Sequence, residues 1–393
     1  MLTRRRLLNA GTAGGAAVAF PACLRARAGL RLDFLTIADP DGWHPSLRLR
    51  GDWLIFAVTD GVLTGYGEAS HSREDERCRA RATALFSTYY AELLSRSQLL
   101  SLDWLAEKEQ EVSGLVPDFV SATALSGINQ ALYDLLAKRE QVPVWRLFSE
   151  RRQIDSLPLY TTINRALQNR THQEYLDIVG ALEGQGFATF KCAPFEAVDT
   201  PENALSKSRA GMQTLDILRS AHPDLAIRVD FHERFPADDF PALLGEFERL
   251  RIDWLEEPFP MGAAFADLRS RTSIPIAAGE LFWGGSRFAE IAANGWADVI
   301  MPDVKHVGGF GPLLAVIAAN RGKVNVSPHN PSGPISTAAS LHAAALNADV
   351  VESLEYAFDR TGTRQATGEQ VSNGRVFLGD APGWGVVPPP SNA

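Results

Sequence analysis

The chain has 393 residues, 45% of them hydrophobic and 22% charged, which is enough apolar material for one large core or two smaller ones and rules out a disordered or fibrous chain. Its formal net charge is −9, with both signs mixed through the main body, so no basic stripe is available to neutralise a phosphate backbone and nucleic acid is excluded as the expected partner. The three cysteines, Cys23, Cys78 and Cys192, give neither a disulfide framework nor a zinc spacing, and a metal site here would need carboxylates.

The first residues differ from the rest. Thr3-Arg4-Arg5-Arg6-Leu7-Leu8 runs into a weakly apolar, Gly/Ala-rich stretch over 10–20, which is how an export signal reads, and the paired arginines resemble the twin-arginine type. Ala26-Arg27-Ala28 offers a small-x-small site for cleavage before Gly29, so residues 1–28 are expected to be a signal peptide and the mature protein to be periplasmic. An uncleaved cytoplasmic form is the alternative. Phe20-Pro21-Ala22-Cys23 resembles a lipoprotein box and leaves lipidation at Cys23 as a competing possibility. The apolar run is too short and too rich in glycine to span a bilayer.

From residue 30 to about 155 the pattern is mixed α+β. A strand is expected over 53–59, turning at Asp60-Gly61 into a second strand over 62–66, which is a hairpin signal. Residues 121–138 carry Leu125, Ile128, Leu132 and Leu135 at helical spacing before Val142-Pro143-Val144 stops the helix.

After Ser156 the rhythm becomes that of parallel βα units. Strands are expected over 157–162, 188–192, 226–230, 253–256, 274–278, 299–301, 324–327 and 350–353. Eight units in about 200 residues is a tight version of the closed (β/α)8 TIM barrel. Asp230, Glu256, Glu280, Asp303 and His329 each fall at or just past the end of an apolar strand, about one unit apart, so all would converge at the C-terminal mouth.

A hard divalent cation such as Mg²⁺ takes oxygen ligands and keeps positions open for water and substrate. Asp230, Glu256 and Glu280 would supply it from three strands, whereas Glu257 should face the other side of its strand and be structural. Asp303 beside His329 would fix the tautomer and raise the basicity of the free ring nitrogen, as a general base requires. Lys191 could aim its charge at a substrate carboxylate. His232 is a candidate general acid for a leaving hydroxyl, and Glu352 could hydrogen-bond an enolate oxygen, with Glu355 as its competitor. His306 and His342 receive no role.

At these residues the chain resembles the mandelate racemase group of the enolase superfamily, and in particular its galactonate-type acid-sugar dehydratases. The resemblance is carried by WLIFAVTDGVLTGYGEAS, GINQALYDLLAKREQVPVWRLF, GFATFKCAPF, RVDFHERF, DWLEEPF, IPIAAGE, DVIMPDVKHVGG, SPHNPSGPIS and PGWGVVP. It implies an α/β fold in which an N-terminal α+β capping domain (30–155), completed by a returning C-terminal segment (358–393), closes over a modified (β/α)8 barrel (156–357). Cap loops near Trp43-His44 and Tyr66 would help choose the substrate. It further implies one Mg²⁺ on Asp230, Glu256 and Glu280, an Asp303–His329 dyad, a barrel-end acid at Glu352, a small-molecule acid-sugar substrate and a homo-oligomer.

The departure from the racemases is informative, because Lys191 is followed two residues later by Ala193 where a second lysine would stand. Losing one of the two bases argues against 1,1-proton transfer, and the Asp230-Phe231-His232 pattern argues for dehydration. The rivals are a racemase or epimerase using His232 or Cys192 on the second face, and a non-catalytic exported protein that only captures sugar acids.

Overall fold

The computed structural model describes residues 29–38, 43–44, 49–50, 52–91, 100–359 and 362–388. The expected export segment and Cys23 lie outside the described residues, as do the side chains of Trp43 and His44. Among the described residues no helix is long and apolar enough to cross a membrane.

The N-terminal part contains β1 (Arg31–Ile37), a short antiparallel pair of β2 (Trp43–His44) and β3 (Leu49–Arg50), then β4 (Trp53–Thr59) and β5 (Thr64–Glu68). Helices α1 (Asp75–Tyr89), α2 (Leu102–Ser113) and α3 (Phe119–Arg139) follow. β4 is buried from Trp53 to Val58 and pairs antiparallel with β1 and β5. The hairpin is present, but β5 starts two residues later than the sequence pattern predicts. Asp60 Oδ1 accepts from the backbone N–H of Val62 (2.9 Å) and Leu63 (2.8 Å), so these two apolar residues are spent in an Asx-type turn. Helix α3, capped by the Asp118 side chain on the Ser121 N–H at 2.8 Å, is buried at every residue from Val120 to Ala137 because it lies between the cap sheet and the second domain. Glycines make that approach possible: a Cβ at Gly67 would sit 2.0 Å from the Gly127 carbonyl oxygen.

The second part alternates strands and helices: β6 (Ser156–Thr162), α4 (His172–Gly184), β7 (Thr189–Cys192), α5 (Ala204–Ala221), β8 (Ala226–Asp230), α6 (Leu244–Arg249), β9 (Ile252–Glu256) and α7 (Ala264–Arg271). The series continues with β10 (Ile276–Ala278), α8 (Ser286–Asn294), β11 (Val299–Ile300), α9 (Phe310–Asn320), β12 (Asn325–Val326), α10 (Pro334–Leu346) and β13 (Leu354–Ala357). Strands β6 to β12 pair parallel in sequence order, and β13 pairs parallel with β6. Between β12 and β13 the ladder is reduced to one isolated bridge, Val326 to Val351, so the junction between the seventh and eighth barrel strands is loose.

That junction corrects the expected eighth strand over 350–353. The N–H groups of Val350 and Val351 bond back to the Asn347 carbonyl at 3.1 and 3.0 Å, continuing the helical turn, and the strand begins only at Leu354, opposite Leu159. In place of an eighth long helix the chain forms a 3-10 turn (Thr363–Thr367) and the hairpin of β14 (Val371–Ser372) and β15 (Arg375–Phe377), which pairs antiparallel with β6. It then returns to the cap, where the Trp384 N–H donates to Asp134 Oδ1 (2.8 Å) and its indole N–H to the Tyr66 carbonyl (2.9 Å). Within the ring, Arg228 is stacked between Trp254 and Tyr160, 3.7 and 4.4 Å from their ring centroids, filling the barrel interior with paired charge and aromatic surface.

Cap and barrel are also joined by a buried carboxylate. Glu68, at the end of β5, accepts from the N–H groups of Gly333 (2.7 Å) and Ser336 (3.0 Å) at the start of α10 and from Ser70 Oγ (2.7 Å). A negative charge on a helix N-terminus satisfies donors that have no partner within the helix.

Candidate active site

The register of the barrel decides which side chains meet. Asp230 pairs with Glu256 across β8 and β9, Glu256 opposes Ala277 of β10, and Glu280 follows two residues after that strand ends. Asp230, Glu256 and Glu280 are all buried, and one carboxylate oxygen of each lies within 4.8 Å of the others. Such a set is costly without a cation. Burial drives the Glu256 carboxyl well above its usual range; Lys191 opposes that, while Asp230, Glu280 and Glu355 add to it. Glu256 Oε2 is buried and has no hydrogen-bond partner among the described residues. Three convergent hard oxygen donors, one with an orphaned oxygen, fit a divalent cation of the Mg²⁺ type.

On the next two strands, His329 Nδ1 lies 2.7 Å from Asp303 Oδ2, and its Nε2 faces the mouth, 3.1 Å from Glu280 Oε2 and 3.7 Å from Glu355 Oε2. Burial works against a charged imidazole, but the surrounding carboxylates outweigh it and raise the pKa of His329 to about 10. Asp303 is fully buried yet held well below the usual carboxylate range, because Lys305, His306 and His329 together outweigh its desolvation. On the third strand, His232 Nε2 is 2.9 Å from Asp230 Oδ2. Burial opposes charging of that ring too, and Asp230 leaves its pKa raised.

Several expectations change. Lys191 is only 1% exposed and is ion-paired to Glu256 and, at 2.9 Å, to Glu355, so its charge balances the chain's own carboxylates before any substrate arrives. Glu352 is exposed, and among the described residues its carboxylate accepts a hydrogen bond from Asn325, at 3.4 Å. Glu355 takes the inward position, because the shifted eighth strand turns it toward Lys191 and His329. Glu257 does reach the cavity, since its backbone leaves the strand with φ +42°; its Oε1 accepts from the N–H groups of Gly279 (2.8 Å) and Glu280 (3.2 Å), and burial pushes its pKa up to about 8. Cys192 is fully buried, faces away from the cavity, and has its thiol pushed up to about 12 by desolvation.

These groups line a cavity of about 440 Å³ beneath the cap. His306, to which no role is assigned from its sequence position, lines it too, with Nδ1 on Thr123 Oγ1 of α3 at 2.9 Å and Nε2 at 3.7 Å from Asp303. Lys305, paired with Asp303 and fully buried, was equally missed; its place in the same Asp303-Val304-Lys305-His306 loop was the only available sign. Tyr66 is not in the lining: its backbone serves Asp134 and Trp384, and its ring lies 4.7 Å from the Lys138 ammonium. The described cap residues that enter the cavity are His71 and Arg73.

Residues 176–391 match the family model for the enolase C-terminal domain-like fold, and residues 52–149 match that for the mandelate racemase / muconate lactonizing enzyme N-terminal domain. The chain belongs to this family. Within it, the D-galactonate dehydratase of Klebsiella pneumoniae (strain 342) is 30% identical over 227 residues, 56% of this chain and 57% of that relative. The chain thus spans, in these matches, little more than half the length of the curated relatives. A mandelate racemase/muconate lactonizing enzyme from Jannaschia sp. CCS1 superimposes with a TM-score of 0.76 at 24% identity, over 91% of this chain and 94% of that one. The 3,6-anhydro-D-galactonate cycloisomerase of Zobellia galactanivorans gives 0.75 at 19% identity, over 91% and 96%. These likenesses establish the fold: an enolase-type N-terminal cap and a (β/α)8 barrel whose junction between the seventh and eighth strands is loose here.

Proposed function

We propose that this family member is a Mg²⁺-dependent hydro-lyase that dehydrates an aldonate or aldarate to a 2-keto-3-deoxy acid. One observation carries the reading: His329, bonded to Asp303 after the seventh barrel strand, faces the same mouth as His232 after the third, while Ala193 stands where a second-strand base would be needed. Strands three and seven are opposite one another in an eight-stranded ring, so the two imidazoles address the substrate from different sides.

A divalent cation held by Asp230, Glu256 and Glu280 would supply Lewis-acid stabilisation of the charge that builds on the substrate carboxylate as the α-proton leaves. His329 takes that proton on Nε2, with Asp303 holding the imidazolium that forms. Lys191 and Glu355 keep the floor of the site ordered and charge-balanced. His232 gives its proton to the departing β-hydroxyl, which leaves as water, and the resulting enol tautomerises to the keto acid. Inversion would instead use His232 as a base on the second face, since Ala193 and the buried Cys192 offer none; the raised pKa of His232 beside Asp230 favours the acid role.

Replacing His329 with Asn should abolish both product formation and exchange of the α-proton with solvent deuterium, as should removal of Mg²⁺ by a chelator. His232→Asn should stop water loss while leaving measurable exchange. Undiminished exchange in His329→Asn would remove the base assignment, and NMR of products formed in D₂O separates inversion from dehydration. The proposal includes export, supported by the arginine pair and by Ala26-Arg27-Ala28. Mature protein from a periplasmic fraction should begin at Gly29, and an intact Met1 found only in the cytoplasm would overturn it.

A further inference from the structure

Resting on the reading of this cavity as an acid-sugar site, we propose that the substrate carries a second anionic group, as an aldarate does, read by Arg165 with Arg73 of the cap. The site carries both signs of charge. Asp230, Glu256 and Glu355 surround Lys191, with Glu280 beside Asp230 and Glu256. Arg73, Arg165 and Arg234 line the same cavity. Among the described residues no carboxylate lies within ion-pair distance of Arg73 or Arg234; Arg73 sits 5.2 Å over the Phe119 ring, and that ring packs at 4.4 Å on His306.

Arg165 is aimed. One of its terminal nitrogens donates to His71 Nε2, and His71 Nδ1 is 3.3 Å from Ser332 Oγ, three residues after His329. Nε2 can accept only from a neutral ring, so His71 carries its proton on Nδ1, donates it to Ser332 and presents a lone pair to the guanidinium. His71 is therefore a positioning residue for Arg165.

The backbone supports the same assignment. His71 and Arg73 both take left-handed conformations, with φ +65° and +69°, a costly choice for non-glycine residues that persists where the surroundings impose it. Between them Ser72 Oγ bonds Asp75 Oδ1 at 2.6 Å, fixing the loop to the start of α1. The result is a cap loop held in strain with a histidine and an arginine both turned into the cavity. A neutral polyol end would leave the guanidinium groups of Arg73 and Arg165 facing hydroxyl groups, whereas a carboxylate takes the planar guanidinium fork in charge-assisted bonds about twice as strong as neutral ones.

The test uses the full-length protein with Mg²⁺ and matched pairs of six-carbon aldarates and aldonates. In a His329→Asn background, where turnover is blocked, calorimetry should give the better aldarates at least tenfold lower Kd than their aldonates. Arg165→Met should bring the two within about twofold, Arg165→Lys should fall between, and Arg73→Met should weaken the aldarate severalfold. In the otherwise native enzyme, His71→Leu should raise KM for the aldarate with little change in kcat. Equal affinity for both acids with Arg165 intact, or a ratio unmoved by Arg165→Met, overturns the inference. The two readings fail separately: an aldarate preference without water loss would sink dehydration alone, and dehydration of both acids at equal affinity would sink the second-anion site alone.

Discussion

Of the nine described non-glycine residues with positive φ, His71, Arg73, His232, Glu233 and Glu257 line the same cavity. Each such residue costs on the order of 1–3 kcal/mol, so the site is where this fold stores its backbone strain. At Glu257 the strain does what strand alternation cannot, turning the residue after Glu256 inward, and past the end of β8 it holds His232, two residues after Asp230, in the same lining. The barrel-end acid is a question at the same scale. Glu355→Gln should lower kcat/KM at least tenfold, because it leaves Lys191 with one fewer counter-charge and removes an acceptor from beside His329, whereas Glu352→Gln should stay within about twofold. The opposite ranking in steady-state assays would restore Glu352.

At the scale of elements, the cap is held on the barrel by backbone proximity and by one carboxylate. Glycines at 65 and 67 let α3 lie directly on β5, and Glu68 at the end of that strand closes on the N-terminus of α10, beside the Ser332 that meets His71. Hydrogen bonds to a buried charged acceptor are worth roughly 1.5–3 kcal/mol each. Glu68→Gln should therefore lower the unfolding free energy in urea by at least about 1 kcal/mol and raise KM through the displaced His71, while Gly67→Ala should cost about 1–3 kcal/mol by forcing the helix off the sheet. Unchanged urea midpoints in both variants would show that the cap is anchored elsewhere.

The whole molecule is tied by His342, buried in α10, whose Nδ1 accepts from the Trp145 N–H (3.0 Å) and whose Nε2 donates to the Trp384 carbonyl (3.2 Å). Burial lowers its pKa from 6.5 to about 4. The folded pKa lies below the unfolded one, so this ring's contribution is complete above pH 6.5 and is lost as pH falls toward 4; the difference is on the order of 3 kcal/mol. Relative to His342→Gln, which can keep both bonds without titrating, the wild type should lose that much additional stability between pH 6.5 and 4 in denaturant titrations; parallel pH profiles would refute the coupling. How much of this was legible beforehand follows the range of the forces involved. The βα rhythm, the strand ends at Asp230 and Glu256, and the alignment of Glu280, Asp303 and His329 one unit apart are local features, written as apolar periodicity with a polar residue at each strand end, and the sequence alone determined them. The start of the eighth strand, the choice of Glu355 over Glu352, the pairing of Lys191 inside the carboxylate cluster and the entry of His71, Arg73 and His306 into the cavity depend on contacts between distant segments and on left-handed backbone turns. Periodicity carries no record of either, and only the packing of the cap against the ring of strands decided them.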